Sequence, residues 1–178
     1  MEFGFGNSTG KVVQMAYVVE DIHASIAWWV DHARTGPWFL LDSFWAEDQR
    51  YRGNPSSADV AIAMAFAGNM NIELIQPKDD HPSVYREIVD RRGYGFHHIG
   101  IAVEDVDAEI EAYRAKGYEL AFRAQVPSGG AVAYLDDGRN EPGFVELIPA
   151  TPGMDAMFTR FWAAGRNWDG RDPVRPFA

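Results

Sequence analysis

The sequence predicts an α+β protein built from two successive βαβββ modules, and three observations carry that reading. The apolar stretch Gln14-Met-Ala-Tyr-Val-Val-Glu-Asp-Ile22 returns as His98-Ile-Gly-Ile-Ala-Val-Glu-Asp-Val106, 84 residues further on. The stretches that would close each half also match, Asn71-Ile-Glu-Leu-Ile75 against Phe144-Val-Glu-Leu-Ile148. In both copies the first stretch runs into Glu-Asp and then into apolar residues at helical spacing, the pattern of a strand entering a helix. Strand–helix repeats also occur in ferredoxin-like domains, but agreement at both the start and the end of the halves favours a duplicated module.

The elements follow in order. Residues 1–10 are polar and Gly-rich, without the basic and apolar regions of a signal peptide, and are expected to form a flexible tail. The first module is expected over 11–80. Its first strand carries Gln14. Asp21 is placed to cap the helix that follows, because a carboxylate there can accept from the free amides of the first turn. Ile22, Ile26, Trp29 and Val30 share one face of that helix. Two strands are then expected near 38–44 and 59–66, with Gly68-Asn69 turning the chain into the closing strand. A linker helix near 83–91 falls within 81–95. The second module, 96–150, repeats the order: a strand through His98, a helix capped by Asp105 and stopped by Gly117, strands near 118–125 and 131–136, a turn at Asp137-Gly138 and the closing strand. A short helix near 154–164 and a tail rich in Arg, Asp and Pro complete the chain over 151–178.

Composition excludes several classes of function. The formal charge is −10, so a phosphate backbone is repelled and nucleic acid is not an expected partner. No apolar run is long enough for a membrane span. The absence of cysteine removes disulfides, thiolate ligands and a cysteine nucleophile, and fits a cytoplasmic protein.

Side chains alternate between the two faces of a strand. Each of four otherwise apolar strands carries one polar group near its middle: Gln14, Glu73, His98 and Glu146. Taken singly, such residues are more often hydrogen-bonded or water-facing than ligands. Together they occupy repeat-equivalent places, Gln14 with His98 and Glu73 with Glu146. Burying two carboxylates side by side is costly, and a divalent cation resolves the cost, with an imidazole and an amide oxygen completing its shell. Alternation sends His97 to the face opposite His98, as an outer-face or supporting residue.

At these motifs the chain resembles the vicinal oxygen chelate superfamily of glyoxalase, bleomycin-resistance and extradiol dioxygenase proteins, over about residues 11–150. The resemblance implies a cupped mixed sheet around one divalent metal ion (Zn, Ni, Co, Mn or Mg) held by Gln14, Glu73, His98 and Glu146. The donor mix resembles eukaryotic-type glyoxalase I, and His in place of Gln14 would resemble methylmalonyl-CoA epimerase. Extradiol dioxygenases use two His and one Glu for iron, so Gln14 counts against that chemistry; bleomycin-resistance proteins lack the metal set. The segments Thr35-Gly-Pro-Trp-Phe39, Tyr51-Arg-Gly53 and Trp168-Asp-Gly-Arg-Asp-Pro173 are similar to a less characterised glyoxalase-like branch. The resemblance implies isomerase, epimerase or lyase chemistry on an α-oxygenated carbonyl small molecule through an enediolate or enolate, with Glu146 as first catalytic base and Glu73 as second. Glu47 is a further base or, more simply, a solvated loop residue.

Trp38, Phe39, Tyr134 and Phe144 are expected to line the cup and bind substrate, or else to serve as core. Ala61, Ala63 and Ala65, with Ala131 and Ala133, leave room inside the cup or seat the helices outside it. Trp168, Arg171 and Arg175 either close the mouth or stay solvated. The alternatives are a non-catalytic small-molecule binder of the same fold and a dimeric scaffold. A homodimer would cover sheet edges in any of these readings.

Overall fold

The computed structural model describes residues 1–139 and 143–178; residues 140–142, inside the second expected module, fall outside that description. The chain runs β1 (Val12–Val18), α1 (Ile22–Ala33), β2 (Trp38–Phe44), β3 (Arg50–Tyr51), β4 (Asn54–Pro55), β5 (Val60–Ala67), β6 (Met70–Pro77) and α2 (Val84–Arg92). It continues through β7 (Gly95–Val103), α3 (Val106–Arg114), β8 (Glu119–Gln125), β9 (Ala131–Asp136), β10 (Phe144–Pro149), α4 (Pro152–Gly165) and β11 (Val174–Pro176). Among the described residues no helix is long and apolar enough to cross a membrane. The caps are side-chain oxygens accepting first-turn amides: Asp21 from Ala24, Ser83 from Arg86, Asp105 from Ala108 and Thr151 from Met154.

All the strands join one sheet in the order β11-β2-β5-β6-β1-β7-β10-β9-β8-β3-β4. Its centre is built twice. β1 pairs in parallel with β6, placing Gln14 opposite Asn71 and Ala16 opposite Glu73. β7 pairs in parallel with β10, placing His98 opposite Phe144 and Gly100 opposite Glu146. The halves meet where β1 runs antiparallel to β7.

The sheet is strongly curved, and connectivity requires it. β2 lies near one edge and β3 near the other, eight strand intervals away. Laid flat at ~4.8 Å per interval those strands would stand about 38 Å apart. The chain between Phe44 and Arg50 reaches at most about 21 Å. The concave face holds one continuous core from both halves, including Val18, Ile62, Phe122 and Phe144, closed by Phe158 and Phe161 of α4. The convex face holds two separate clusters. Under α1 lie Ile22, Ile26, Trp38, Ala61, Ala63 and Ala65; under α3 lie Ile110, Ala133, Leu135 and Leu147. The alanines of β5 therefore seat a helix, and the cup is walled by the alternate residues Ile62 and Met64.

Three parts differ from the sequence expectation. Residues 1–10 are not a loose tail: Phe3 and Phe5 are 3% and 0% exposed, and Phe5 packs on Phe66 and Phe158. The Gly4 amide donates to Asp155 of α4 at 2.8 Å. The β3–β4 hairpin had no counterpart. Its turn, Arg52-Gly53, has φ of 45° and 81°, the left-handed pair that suits a two-residue hairpin. The tail ends in a strand, with β11 parallel to β2. Trp168 lies against Gly36, where a Cβ would meet its ring at 2.5 Å.

Candidate metal centre and cavity

Two β-bulges set the site. Val12 pairs Ile101 and Gln14 pairs Gly100, so Val13 is an extra residue in β1; Ala16 pairs His98 and Tyr17 pairs Phe96, so His97 is an extra residue in β7. The two lie at equivalent places in the repeat. A bulge turns neighbouring side chains to the same side of a strand. Gln14 and His98 both face the concave side, and so does His97, which is 0% exposed. Simple alternation had sent His97 to the opposite face.

Gln14, Glu73, His98 and Glu146 converge, all at 5% exposure or less. From His98 Nε2 the distances are 3.0 Å to Glu146 Oε2, 3.1 Å to Gln14 Oε1 and 3.4 Å to Glu73 Oε2. The surrounding groups fix which way the hydrogens point. His97 Nε2 lies 3.2 Å from the Val84 carbonyl, which only accepts, so that nitrogen carries the hydrogen. Burial, with His98 alongside, pushes His97 well below the usual imidazole range, so it is neutral and its Nδ1 is a lone pair. That lone pair accepts from His98 Nδ1–H at 2.9 Å. Burial likewise lowers His98 to about 3, leaving its Nε2 bare. The Gln14 side-chain amide donates to Asn71 Oδ1 at 3.0 Å, which turns its carbonyl oxygen inward.

The result is four acceptor atoms aimed at one point. Burial pushes Glu146 up to about 8, opposed by a hydrogen bond from the Tyr134 hydroxyl. Burial and then Glu146 push Glu73 well above the carboxylate range. Glu73 Oε2 is buried without a hydrogen-bond donor among the described residues. Both carboxyls cannot be charged here unless positive charge lies between them. The donor set of one imidazole, one amide and two carboxylates fits a divalent cation. The spacings of 3.0–3.4 Å from His98 Nε2 also suit neighbouring ligands around an ion with bonds of ~2.1 Å. Gly100 makes room for this: a Cβ there would stand 2.8 Å from Gln14 Oε1.

Above these atoms lies a cavity of about 220 Å³. Gln14, Glu73 and Glu146 form its floor, the two halves of the sheet its walls, and Met154, Met157 and Phe158 of α4 its roof. Of the four aromatics expected to line it, Tyr134 does so. Trp38 is on the convex face, its indole N–H donating to the Thr35 carbonyl. Phe39 stacks on Phe161 at 4.0 Å and anchors α4, and Phe144 packs on His97. Strand alternation explains Trp38, because Phe39 takes the concave side. Tyr85 of α2, Phe122 and the α4 residues were missed, since nothing local in the sequence shows which helix roofs the cup. Glu47 is exposed. Phe177 and Ala178 line the cavity, while Trp168, Arg171 and Arg175, read as either closing the mouth or staying solvated, do not.

A family model described as Glyoxalase/Bleomycin resistance protein/Dioxygenase superfamily matches residues 13–134, a span that includes Gln14, Glu73 and His98 and stops before Glu146. No curated protein matches the chain. Among solved structures, methylmalonyl-CoA epimerase from Mycobacterium tuberculosis is 21% identical with a TM-score of 0.59, covering 83% of this chain and 93% of that one. A hypothetical protein from Bacillus halodurans is 22% identical with a TM-score of 0.59, covering 79% and 94%. Streptomyces coelicolor methylmalonyl-CoA epimerase, in complex with 2-nitronate-propionyl-CoA, is 17% identical with a TM-score of 0.58, covering 82% and 97%. These likenesses are of fold.

Proposed function

Because the chain belongs to the Glyoxalase/Bleomycin resistance protein/Dioxygenase superfamily, we propose that it is a divalent-metal-dependent enzyme acting on an α-oxygenated carbonyl compound, with isomerase, epimerase or lyase chemistry. The observation that carries this reading is the convergence of His98 Nε2 with oxygens of Gln14, Glu73 and Glu146 at 3.0–3.4 Å. Those four residues would hold the ion. When bound, it would polarise the substrate carbonyl and stabilise the enolate or enediolate left by loss of the α-proton.

The chain's own groups supply the rest. Glu146 lies on the cavity floor beside the Tyr134 hydroxyl and is the group best placed to take and return the α-proton; Glu73 is the second. The sheet walls and α4 keep water from the carbanion. Two of the similar structures are methylmalonyl-CoA epimerases, which agrees with α-proton transfer as the common step.

Elemental analysis of the purified protein beside a Glu73→Ala/Glu146→Ala variant tests the reading. The expected result is about one equivalent of divalent metal in the parent and none in the variant. Deuterium exchange at the α-carbon of candidate hydroxyketones should then follow metal content. A parent protein that neither holds nor takes up metal would overturn the catalytic reading in favour of a non-catalytic binder.

A further inference from the structure

The cavity restricts what the site can accept. Its polar side chains, Ser128 apart, are gathered at one end, where Gln14, Glu73 and Glu146 form the floor, Tyr134 hydrogen-bonds Glu146, and the Tyr85 hydroxyl pairs with that of Tyr134. The walls and roof are Leu41, Phe44, Ile62, Met64 and Phe122, with the methionines of α4. Ser128 lies at the rim, its hydroxyl turned to the Met154 sulfur. Among the described residues no lysine or arginine lines the cavity. An anionic group on the body of a ligand, or a cationic group held against the apolar walls away from the floor carboxyls, would therefore be buried without a partner, at a cost no apolar contact offsets. The volume is also small. A cavity of about 150 Å³ accepts benzene, so the 220 Å³ here holds on the order of ten non-hydrogen atoms.

We propose that the substrate is a small compound with two vicinal oxygens at one end and an uncharged hydrocarbon body, of phenyl size or slightly larger, at the other. A coenzyme A thioester suits this lining poorly, because the cavity has room for its acyl end alone and offers no cation to its phosphates. The oxygen end of this inference rests on the function proposed above. The apolar end rests on the cavity itself.

Hydroxamates carry two vicinal oxygens on a variable body and serve as probes. Calorimetric titration of benzohydroxamate and acetohydroxamate into zinc-loaded and metal-free protein reads both ends separately. Benzohydroxamate is expected to bind the zinc-loaded protein at least about tenfold more tightly than acetohydroxamate, since the phenyl ring buries area that a methyl cannot. Propionyl-CoA is expected not to displace it. Met157→Trp in the roof and Leu41→Trp in the wall should each weaken benzohydroxamate about tenfold while keeping a cooperative unfolding transition. Equal affinity for the two hydroxamates, no binding of benzohydroxamate to either form, or displacement by propionyl-CoA would overturn the inference. A preference for benzohydroxamate that is the same with and without zinc would support the apolar body while sinking the metal-dependent function.

Discussion

At residue 97 one extra position in a strand decides how the site is held. With His97 bulged inward, its ring bridges the Val84 carbonyl and His98 Nδ1 and fixes His98 with Nε2 free. Loss of such a supporting partner costs a metal site about 10–100-fold in affinity. His97→Leu should show that loss in a chelator competition, and His97→Asn, which restores an acceptor, should recover part of it; unchanged affinity in His97→Leu would refute the assignment. Gly100→Ala tests the other side of the site, because the added methyl would stand 2.7 Å from Ile148 Cδ1 and 2.8 Å from Gln14 Oε1. Overpacking of this kind costs about 1–3 kcal/mol, measurable by urea unfolding. The four converging residues were legible because each is a polar side chain in an apolar strand, at matching places in a repeat. The bulges were not, since a bulge depends on the partner strand's register, and the sequence of one strand does not contain it.

The hairpin is the element that ties the two ends of the sheet together. Arg52, at its turn, reaches Glu87 of α2 at 2.7 Å and Asp136 of β9 at 2.5 Å, and the Tyr51 hydroxyl donates to Glu87 at 2.8 Å. Burial alone would raise the Glu87 carboxyl, but hydrogen bonds from Arg52 and Tyr51 outweigh it and hold it below its ordinary value of 4.5. The charged carboxylate is thus favoured in the folded state. Its contribution is fully present above the unfolded value and is lost as pH falls through the lowered folded value. Glu87→Gln should therefore flatten the acid limb of the stability curve below about pH 4.5, and a limb identical to the parent's would show the pair to be inert. Arg52→Ala should cost on the order of 1–2 kcal/mol in urea, since Arg52 keeps some solvent and the pair is partly screened. The longer strands and helices were readable from periodicity and caps. Two-residue strands containing Asn54 and Pro55 have no period to read, and Pro is a poor strand residue.

On the scale of the whole molecule, one core fills the cup and recruits segments from both chain ends. Phe5 is fully buried against Phe66 and Phe158. Phe5→Ala should cost about 3–5 kcal/mol, whereas a change in a loose tail would cost nothing; urea unfolding distinguishes them. Two phenylalanines among glycines carry no signal of where they pack, because their contacts are all distant in sequence. The modular halves were legible from the internal repeat, while the roof and the N-terminal plug, which have no repeat, were not.

The hairpin also imposes an order in time. Arg50–Pro55 is synthesised with the first half, but its partner strand is Glu119–Gln125 in the second. At ~5–20 residues per second the hairpin waits on the order of 3–13 s before β8 exists to receive it. The nascent protein until then lacks the strand against which Tyr51 pairs, and the free edge of β2 waits longer still, for β11 at the end of the chain. The cavity has no roof or far wall until nearly the whole chain has been made.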